Sequence, residues 1–234
     1  FVMHAKTVIG LVGLGALAGV AHGHGEGDIG LLWDGFNIIT AVADDESGAF
    51  TEIGEFVFAA ELEDLGGGFV GSDGPGFFTT DGPTNTIGAF DAGTVLSYDT
   101  LSALRVWNGS DFSQVATPQL AQDYGGNTIL TPMADALTPG FDFTYGGGDF
   151  DEHPDYSLVN PAAGIYLWEI RFSATAPTGE PLDTTGSLYV VFNYDVDDSI
   201  HDEAIEWVEK NLPAPSGLAL LGLGGAFATR RRRA

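Results

Sequence analysis

The chain has 234 residues, 33 of them acidic and only 8 Lys or Arg, giving a formal net charge of −25. It has no cysteine, which excludes disulfides, thiolate zinc sites, iron–sulfur clusters and cysteine nucleophiles together. So acidic a chain has no basic surface for the nucleic-acid backbone, yet a hydrophobic fraction of 44% is that of a globular protein.

The 34 glycines follow no G-X-Y period, so the chain is not collagen-like. Its charge is unevenly placed. Every acid lies between Glu26 and Glu209, where Arg105 and Arg171 are the basic residues before Lys210, and both ends are purely basic. That asymmetry marks the ends as processing signals rather than parts of the fold.

Met3 is followed by His4 and Lys6, then by an uncharged run from Val8 to Val20 and the small residues Gly19-Val20-Ala21. This three-part order is that of a secretory signal peptide over residues 1–21, cut after Ala21. The run is too short to cross a hydrocarbon core of roughly 30 Å comfortably. Within it, Gly13-Leu14-Gly15-Ala16-Leu17-Ala18 spells the dinucleotide fingerprint G-x-G-x-x-A. No βαβ pattern follows, so that reading is rejected.

Cleavage after Ala21 leaves His22-Gly23-His24 at the new terminus. A free amine, two backbone nitrogens and a third-position imidazole can wrap Cu(II) or Ni(II) in a square plane. The segment resembles the amino-terminal copper and nickel motif, and His22 can instead chelate through its own amine and ring. A loose polar leader is the plain alternative.

Residues 22–212 read as one acidic β domain. Ile29–Trp33 and Phe36–Thr40 flank Asp34-Gly35, a hairpin with an expected type I′ turn. Further β-rich runs are Glu55–Ala60, Thr94–Tyr98, Ala103–Trp107 and Phe112–Ala116, the last two joined at Asn108-Gly109. Asn108-Gly109-Ser110 is formally a glycosylation sequon, read here as that turn. Phe141–Tyr145, Ile165–Thr175 and Ser187–Tyr194 complete the set. In the long run, Glu169 and Arg171 alternate with Trp168, Ile170 and Phe172, which is half-buried strand chemistry. About ten short strands without a 20–50-residue repeat predict an all-β fold, a β-sandwich or jelly roll.

Between those runs lies Asp149-Phe150-Asp151-Glu152-His153-Pro154-Asp155, after three glycines. Four carboxylates on a flexible loop suit Ca²⁺, a hard ion that prefers oxygen ligands. With His153, and His201 from elsewhere, Zn²⁺ also fits. The segment and the Gly164-Ile165-Tyr166 strand after it loosely resemble bacterial surface-anchored domains with a histidine-bearing loop before a Gly-x-Tyr strand. A solvated acidic loop is the alternative. The metal candidates are thus His22, His24, Asp149, Asp151, Glu152, His153 and Asp155, with Ca, Zn or Cu as the ion.

One amphipathic helix is predicted near 199–211. Ser199 and Asp202 form a capping-box-like pair, and Ile200, Ala204, Trp207, Val208 and Leu212 make an apolar stripe at helical spacing. Trp207 is read as a packing residue.

The tail reads Leu212-Pro213-Ala214-Pro215-Ser216, then Gly217–Thr229 without charge, then Arg230–Arg233. A proline-bounded stop, an apolar segment and an arginine cluster in that order resemble the PEP-CTERM class of sorting signals, in a planctomycete-like Pro-x-Pro form. Ala214 stands where that class carries glutamate. The resemblance covers residues 213–234. It implies an exosortase-like sorting enzyme as partner, transient anchoring in the inner membrane with the arginines inside, and a final place on the surface of, or outside, a Gram-negative-type bacterium.

Nucleophile-elbow, zincin and P-loop motifs are missing. The leading expectation is a non-enzymatic surface or matrix protein that meets extracellular polysaccharide through bridging cations. A divalent-metal-binding surface protein is the alternative, and a carbohydrate-active enzyme the third. No cofactor is certain. Deleting residues 217–234 is expected to leave the cooperative melt intact while releasing the protein from the envelope. Loss of that melt would place the tail in the core.

Overall fold

The computed structural model describes residues 27–44, 49–80, 90–148 and 150–214. The expected leader, His22, His24, Asp149 and the tail from residue 215 lie outside the described residues. Eighteen strands and one helix run along them. First come β1 (Asp28–Trp33), β2 (Ile38–Asp44), β3 (Ala49–Thr51), β4 (Val57–Glu61), β5 (Glu63–Gly66) and β6 (Phe69–Ser72). There follow β7 (Phe77–Thr79), β8 (Val95–Thr100), β9 (Arg105–Val106), β10 (Gln114–Val115), β11 (Gln119–Tyr124) and β12 (Asn127–Leu130). The last are β13 (Thr138–Thr144), β14 (Phe150–Glu152), β15 (Asp155–Val159), β16 (Gly164–Thr175), β17 (Pro181–Thr184), β18 (Leu188–Tyr194) and α1 (Asp198–Asn211).

They form three sheets. The first is ordered β14-β7-β1-β2-β3, and the third β12-β11-β15-β6-β5. The second and largest runs β10-β9-β16-β18-β4, with β8, β13 and β17 added. The fold is an all-β sandwich. Its pairs β1–β7 and β18–β4 are parallel, which sets it apart from an antiparallel jelly roll.

The main core lies between one face of the largest sheet and the two smaller sheets. Trp168, Ile170 and Phe172 of β16 meet Ile29, Leu31 and Phe77 of the first sheet and Leu120, Tyr156 and Leu158 of the third. The alternation read from 168–172 is present, with Glu169 and Arg171 only half-buried. Trp168 is fully enclosed, and its indole donates to Thr100 Oγ1 at 3.0 Å, so its one polar group is satisfied. Ile165, Leu167, Tyr189 and Val191 project from the other face into a second core under α1. Burial on both faces explains why β18 reads as Leu-Tyr-Val-Val-Phe without alternation.

Both expected hairpins are present, but their turns are longer than two residues. Trp33 pairs with Ile38, leaving Asp34-Gly35-Phe36-Asn37 as the loop. Asp34 Oδ1 accepts from the N–H of Phe36 and of Asn37 at 2.8 and 2.7 Å, a local bond that competes with a two-residue turn. Asn108 does the same for Ser110 and Asp111, at 2.9 and 3.1 Å. In each loop the second residue is glycine at φ of 95° or 91°, in the left-handed region.

The helix also departs from its expected phase. Its N-cap is Asp197, whose side chain accepts from the N–H of Ser199 at 3.0 Å, so Ser199 is not the capping residue. The buried positions are His201, Ala204, Ile205 and Val208, while Ile200 is 39% exposed. The inward face is therefore rotated by about one residue, because a histidine takes a place that an apolar pattern skips. Ile205→Ala is expected to cost about 2–5 kcal/mol by urea denaturation, and Ile200→Ala no more than about 0.5 kcal/mol. The stripe read from the sequence predicts the reverse.

Candidate metal centre

The segment expected as a flexible acidic loop is instead two strands in two different sheets. Phe150–Glu152 pairs with β7, and Asp155–Val159 pairs with β6 and β11. The chain passes between the first and third sheets at His153-Pro154. It makes a second passage between the same sheets at 73–76, from β6 to β7. The two passages are tied together: Tyr156 Oη donates to the Pro75 carbonyl at 3.1 Å, and His153 Nδ1 lies 2.9 Å from the Asp73 carbonyl.

Register decides which side chains meet. Glu152 is opposite Phe77 and Phe77 is opposite Ile29, so the next level aligns His153, Gly76 and Asp28 across three strands. Strand alternation turns Phe150 into the core and places Asp151 and His153 together on the outer face. Gly76, in the middle, has no side chain. A Cβ there would lie 2.6 to 2.8 Å from three atoms of the His153 ring, so glycine is what lets the imidazole lie over the strand towards Asp28.

Asp28, Asp151 and His153 converge, each offering one ligand atom within 4.8 Å of the others. His153 Nε2 is 2.8 Å from Asp151 Oδ1 and 3.3 Å from Asp28 Oδ2. Asp28 is 5% exposed, and its Oδ1 accepts from the Gly76 N–H at 2.6 Å. The Asp73 carbonyl can only accept, so Nδ1 carries the proton that it shares. Nε2 then faces two carboxylates and needs either a second proton or a metal ion.

Two of the candidates read from the sequence thus join the centre, Asp151 and His153. Glu152 points the other way and accepts a hydrogen bond from Tyr124 Oη. That bond, followed by burial and the Glu152 charge, pushes the Tyr124 phenol up to about 12. Asp155 lines the neighbouring cleft, directly across the sheet from Asp123, and is not in the group. His201 stays on α1, with Nε2 donating to the Val191 carbonyl at 3.0 Å and Nδ1 3.2 Å from Glu61. Of the four carboxylates expected for Ca²⁺, Asp151, Glu152 and Asp155 do not converge, and Asp149 lies outside the described residues. Asp28 was missed because nothing in Asp28-Ile29-Gly30 separates it from any other acid before a strand.

The centre opens on a cleft of about 910 Å³. Glu61, Glu63, Asp73, Asp123 and Asp155 line it with the half-exposed Phe69, and among the described residues no Lys or Arg does.

No family model matches the chain, and no curated protein matches it. Among solved structures, it is similar to the N-terminal domain of PorA, at 14% identity and a TM-score of 0.32, over 63% of this chain and 92% of that one. It is also similar to a mutant of the CFA/I enterotoxigenic E. coli adhesin CfaE, at 12% identity and a TM-score of 0.31, over 74% of this chain and 50% of that one. Likeness at that level says nothing about what the centre does.

Burial pulls the His153 pKa down, but the Asp73 carbonyl and the charges of Asp28 and Asp151 outweigh it and hold the ring above its usual 6.5. In metal-free protein, this raised value adds stability that is complete below the unfolded pKa and is lost as pH rises through the folded one. The melting-temperature gap between wild type and His153→Gln, measured in chelator, is therefore expected to narrow as pH rises from about 5.5 to about 8.5. Gly76→Ala, which drives the ring off its strand, is expected to show the same narrowing against wild type. A gap independent of pH would mean that His153 does not bear a proton in the fold.

Proposed function

We propose that this chain is an exported surface protein that binds one divalent transition-metal ion, zinc foremost, through Asp28, Asp151 and His153. The observation that carries this reading is the placement of His153 Nε2 between two carboxylate oxygens, with Nδ1 held by the Asp73 carbonyl. A metal-bound histidine commonly donates its other ring N–H to a carbonyl, and a ligating carboxylate commonly has its own hydrogen bond. Both supports are present, the second from Gly76 N–H to Asp28 Oδ1. One nitrogen and two carboxylate oxygens suit zinc, whereas calcium takes six to eight oxygens. Zinc–ligand distances of about 2.0–2.1 Å set tetrahedral ligands roughly 3.3 Å apart. The separations of 2.8 and 3.3 Å need only a small spread to admit the ion.

In this reading the role is binding rather than catalysis. The tail at 213–234 acts as the PEP-CTERM-like address, read by an exosortase-like enzyme after transient inner-membrane anchoring. The acid-rich surface meets extracellular polysaccharide through bridging cations.

Elemental analysis after zinc loading and dialysis is expected to give one zinc per chain. At about 100 times Kd, bound zinc adds about 2.7 kcal/mol, a rise in melting temperature of roughly 5–10 °C for a domain of this size. Asp151→Asn and His153→Gln are expected to abolish the rise, and Glu152→Gln to keep it. A zinc effect no larger than that of NaCl at matched ionic strength would overturn the proposal.

A further inference from the structure

The largest sheet ends at β4, and among the described residues β18 is the one strand that pairs with it. Two bonds fix which way its backbone faces. The Phe56 carbonyl accepts from the Tyr189 N–H, and the Leu62 N–H donates to the Asn193 carbonyl, both at 2.8 Å. Alternate residues of a strand bond the same neighbour, so Phe56, Phe58, Ala60 and Leu62 turn their peptide groups to β18. Val57 and Ala59 turn theirs to the outer edge. The Val57 N–H is met there by Glu55 Oε1 at 2.9 Å, and Ala59 comes next, in the middle of the strand.

That outer edge borders the cleft, whose wall includes Ala59, Ala60 and Glu61. Leu65 and Phe69 of the β5–β6 hairpin also line it, 60% and 53% exposed. A strand edge open to a groove is a template for an extended peptide. Such a peptide binds through its main chain and is selected by its side chains.

The walls decide the charge of the occupant. Asp123 lies directly across from Asp155, and the pairing of Tyr156 with Ser72 puts Asp155 level with Asp73. Like charges opposed across strands destabilise a sheet, so this row favours whatever brings positive charge. The exposed Phe69 ring offers its face to Lys or Arg. A second copy of this chain, at −25, is repelled, and so is any anionic polymer. Alternate side chains of an extended peptide share a face, so cations at every second position all reach the carboxylates together.

We propose that the cleft docks an extended segment of a partner protein with Lys or Arg at alternate positions, added as a strand to the outer edge of β4. The proposal is independent of the zinc reading, and its test is run in chelator.

The probe is a fluorescent Lys-Val-Lys-Val-Lys-Val peptide, followed by anisotropy against the full chain at about 0.1 M ionic strength, where longer-range attraction is screened. Saturable binding is expected, with none by the Glu-Val counterpart. Methylating alternate backbone nitrogens of the peptide removes the N–H donors of one edge and keeps the charge. It is expected to weaken binding at least tenfold in one of the two possible phases. Ala59→Pro is expected to do the same. An outward-facing proline costs β4 no bond to β18, so its melt stays cooperative. The triple variant Glu63→Gln/Asp123→Asn/Asp155→Asn is expected to lose at least tenfold. Glu180→Gln/Asp202→Asn/Glu203→Gln removes as many charges away from the cleft and is expected to lose less than twofold. If both methylated peptides bind like the parent, the cleft attracts cations without pairing a strand, and the proposal is wrong whether or not Ala59→Pro folds. If the two triple variants lose equally, the general field of the chain holds the peptide and the cleft does not. An absence of saturable binding overturns the proposal and leaves the zinc centre untouched.

Discussion

The paired passage of the chain between two sheets is the constraint on which the site depends. At 73–76 and again at 153–154 the backbone passes from one sheet to the other, and the two passages run side by side because β6 pairs with β15 and β7 with β14. Two such crossings side by side bring polar backbone to a place where neither sheet can pair it, and those groups need partners from side chains. Tyr156 takes the Pro75 carbonyl and His153 takes that of Asp73. The histidine is thus fixed by a structural need before any ligand is considered. Its remaining nitrogen is aimed by the same bond.

Behind the crossing lies an aromatic core that gives it a firm base. Phe77, the first residue of β7, packs edge-on against Phe172 with ring centroids 4.9 Å apart, and Tyr156 packs against Trp168 at 5.5 Å. Such pairs add about 0.5–1.5 kcal/mol each beyond the area they bury. The residues on either side of the crossing are therefore anchored in the core, while Asp28 and Asp151 take outward positions on β1 and β14 and His153 follows directly after β14. Asp28 and Asp151 sit on strands and His153 on the short link directly after β14, tied down by the Asp73 carbonyl, and that favours a fixed geometry over an adaptable one.

The broad architecture was legible because long apolar runs carry their own period. The alternation around Trp168 and the punctuation at Asp34-Gly35 and Asn108-Gly109 predicted strands and hairpins that are present. Short strands left no such trace. Phe77-Phe78-Thr79 is buried at all three positions, and Phe150–Glu152 is too brief for a period to emerge. The acidic segment therefore read as a loop, although Asp151 and His153 have the i, i+2 spacing of one strand face. Asp28 was out of reach of any local pattern, since it joins them through a register set by β7. His201 illustrates the same limit in the helix, where a histidine bonded to the Val191 carbonyl shares the buried face with Ala204, Ile205 and Val208, a place that an apolar pattern skips.

In a chain with 33 acids and five histidines, carboxylates near one another are background. Glu61, Glu63, Asp73, Asp123 and Asp155 around the cleft attract cations generally, and salt screens that attraction over about 10 Å at 0.1 M ionic strength. A nitrogen donor fixed in direction is a different signal. It discriminates among cations by ligand chemistry and distance, which a field of carboxylates does not. If the centre binds a metal as proposed, the acidic cleft would concentrate divalent ions near it, and the imidazole between Asp28 and Asp151 would select among those that arrive. Concentration needs only charge, and any of several acids could be exchanged without losing it. Selection would depend on the Asp73 carbonyl, the absence of a side chain at Gly76 and the register that lines up three strands, which are features that the fold itself specifies.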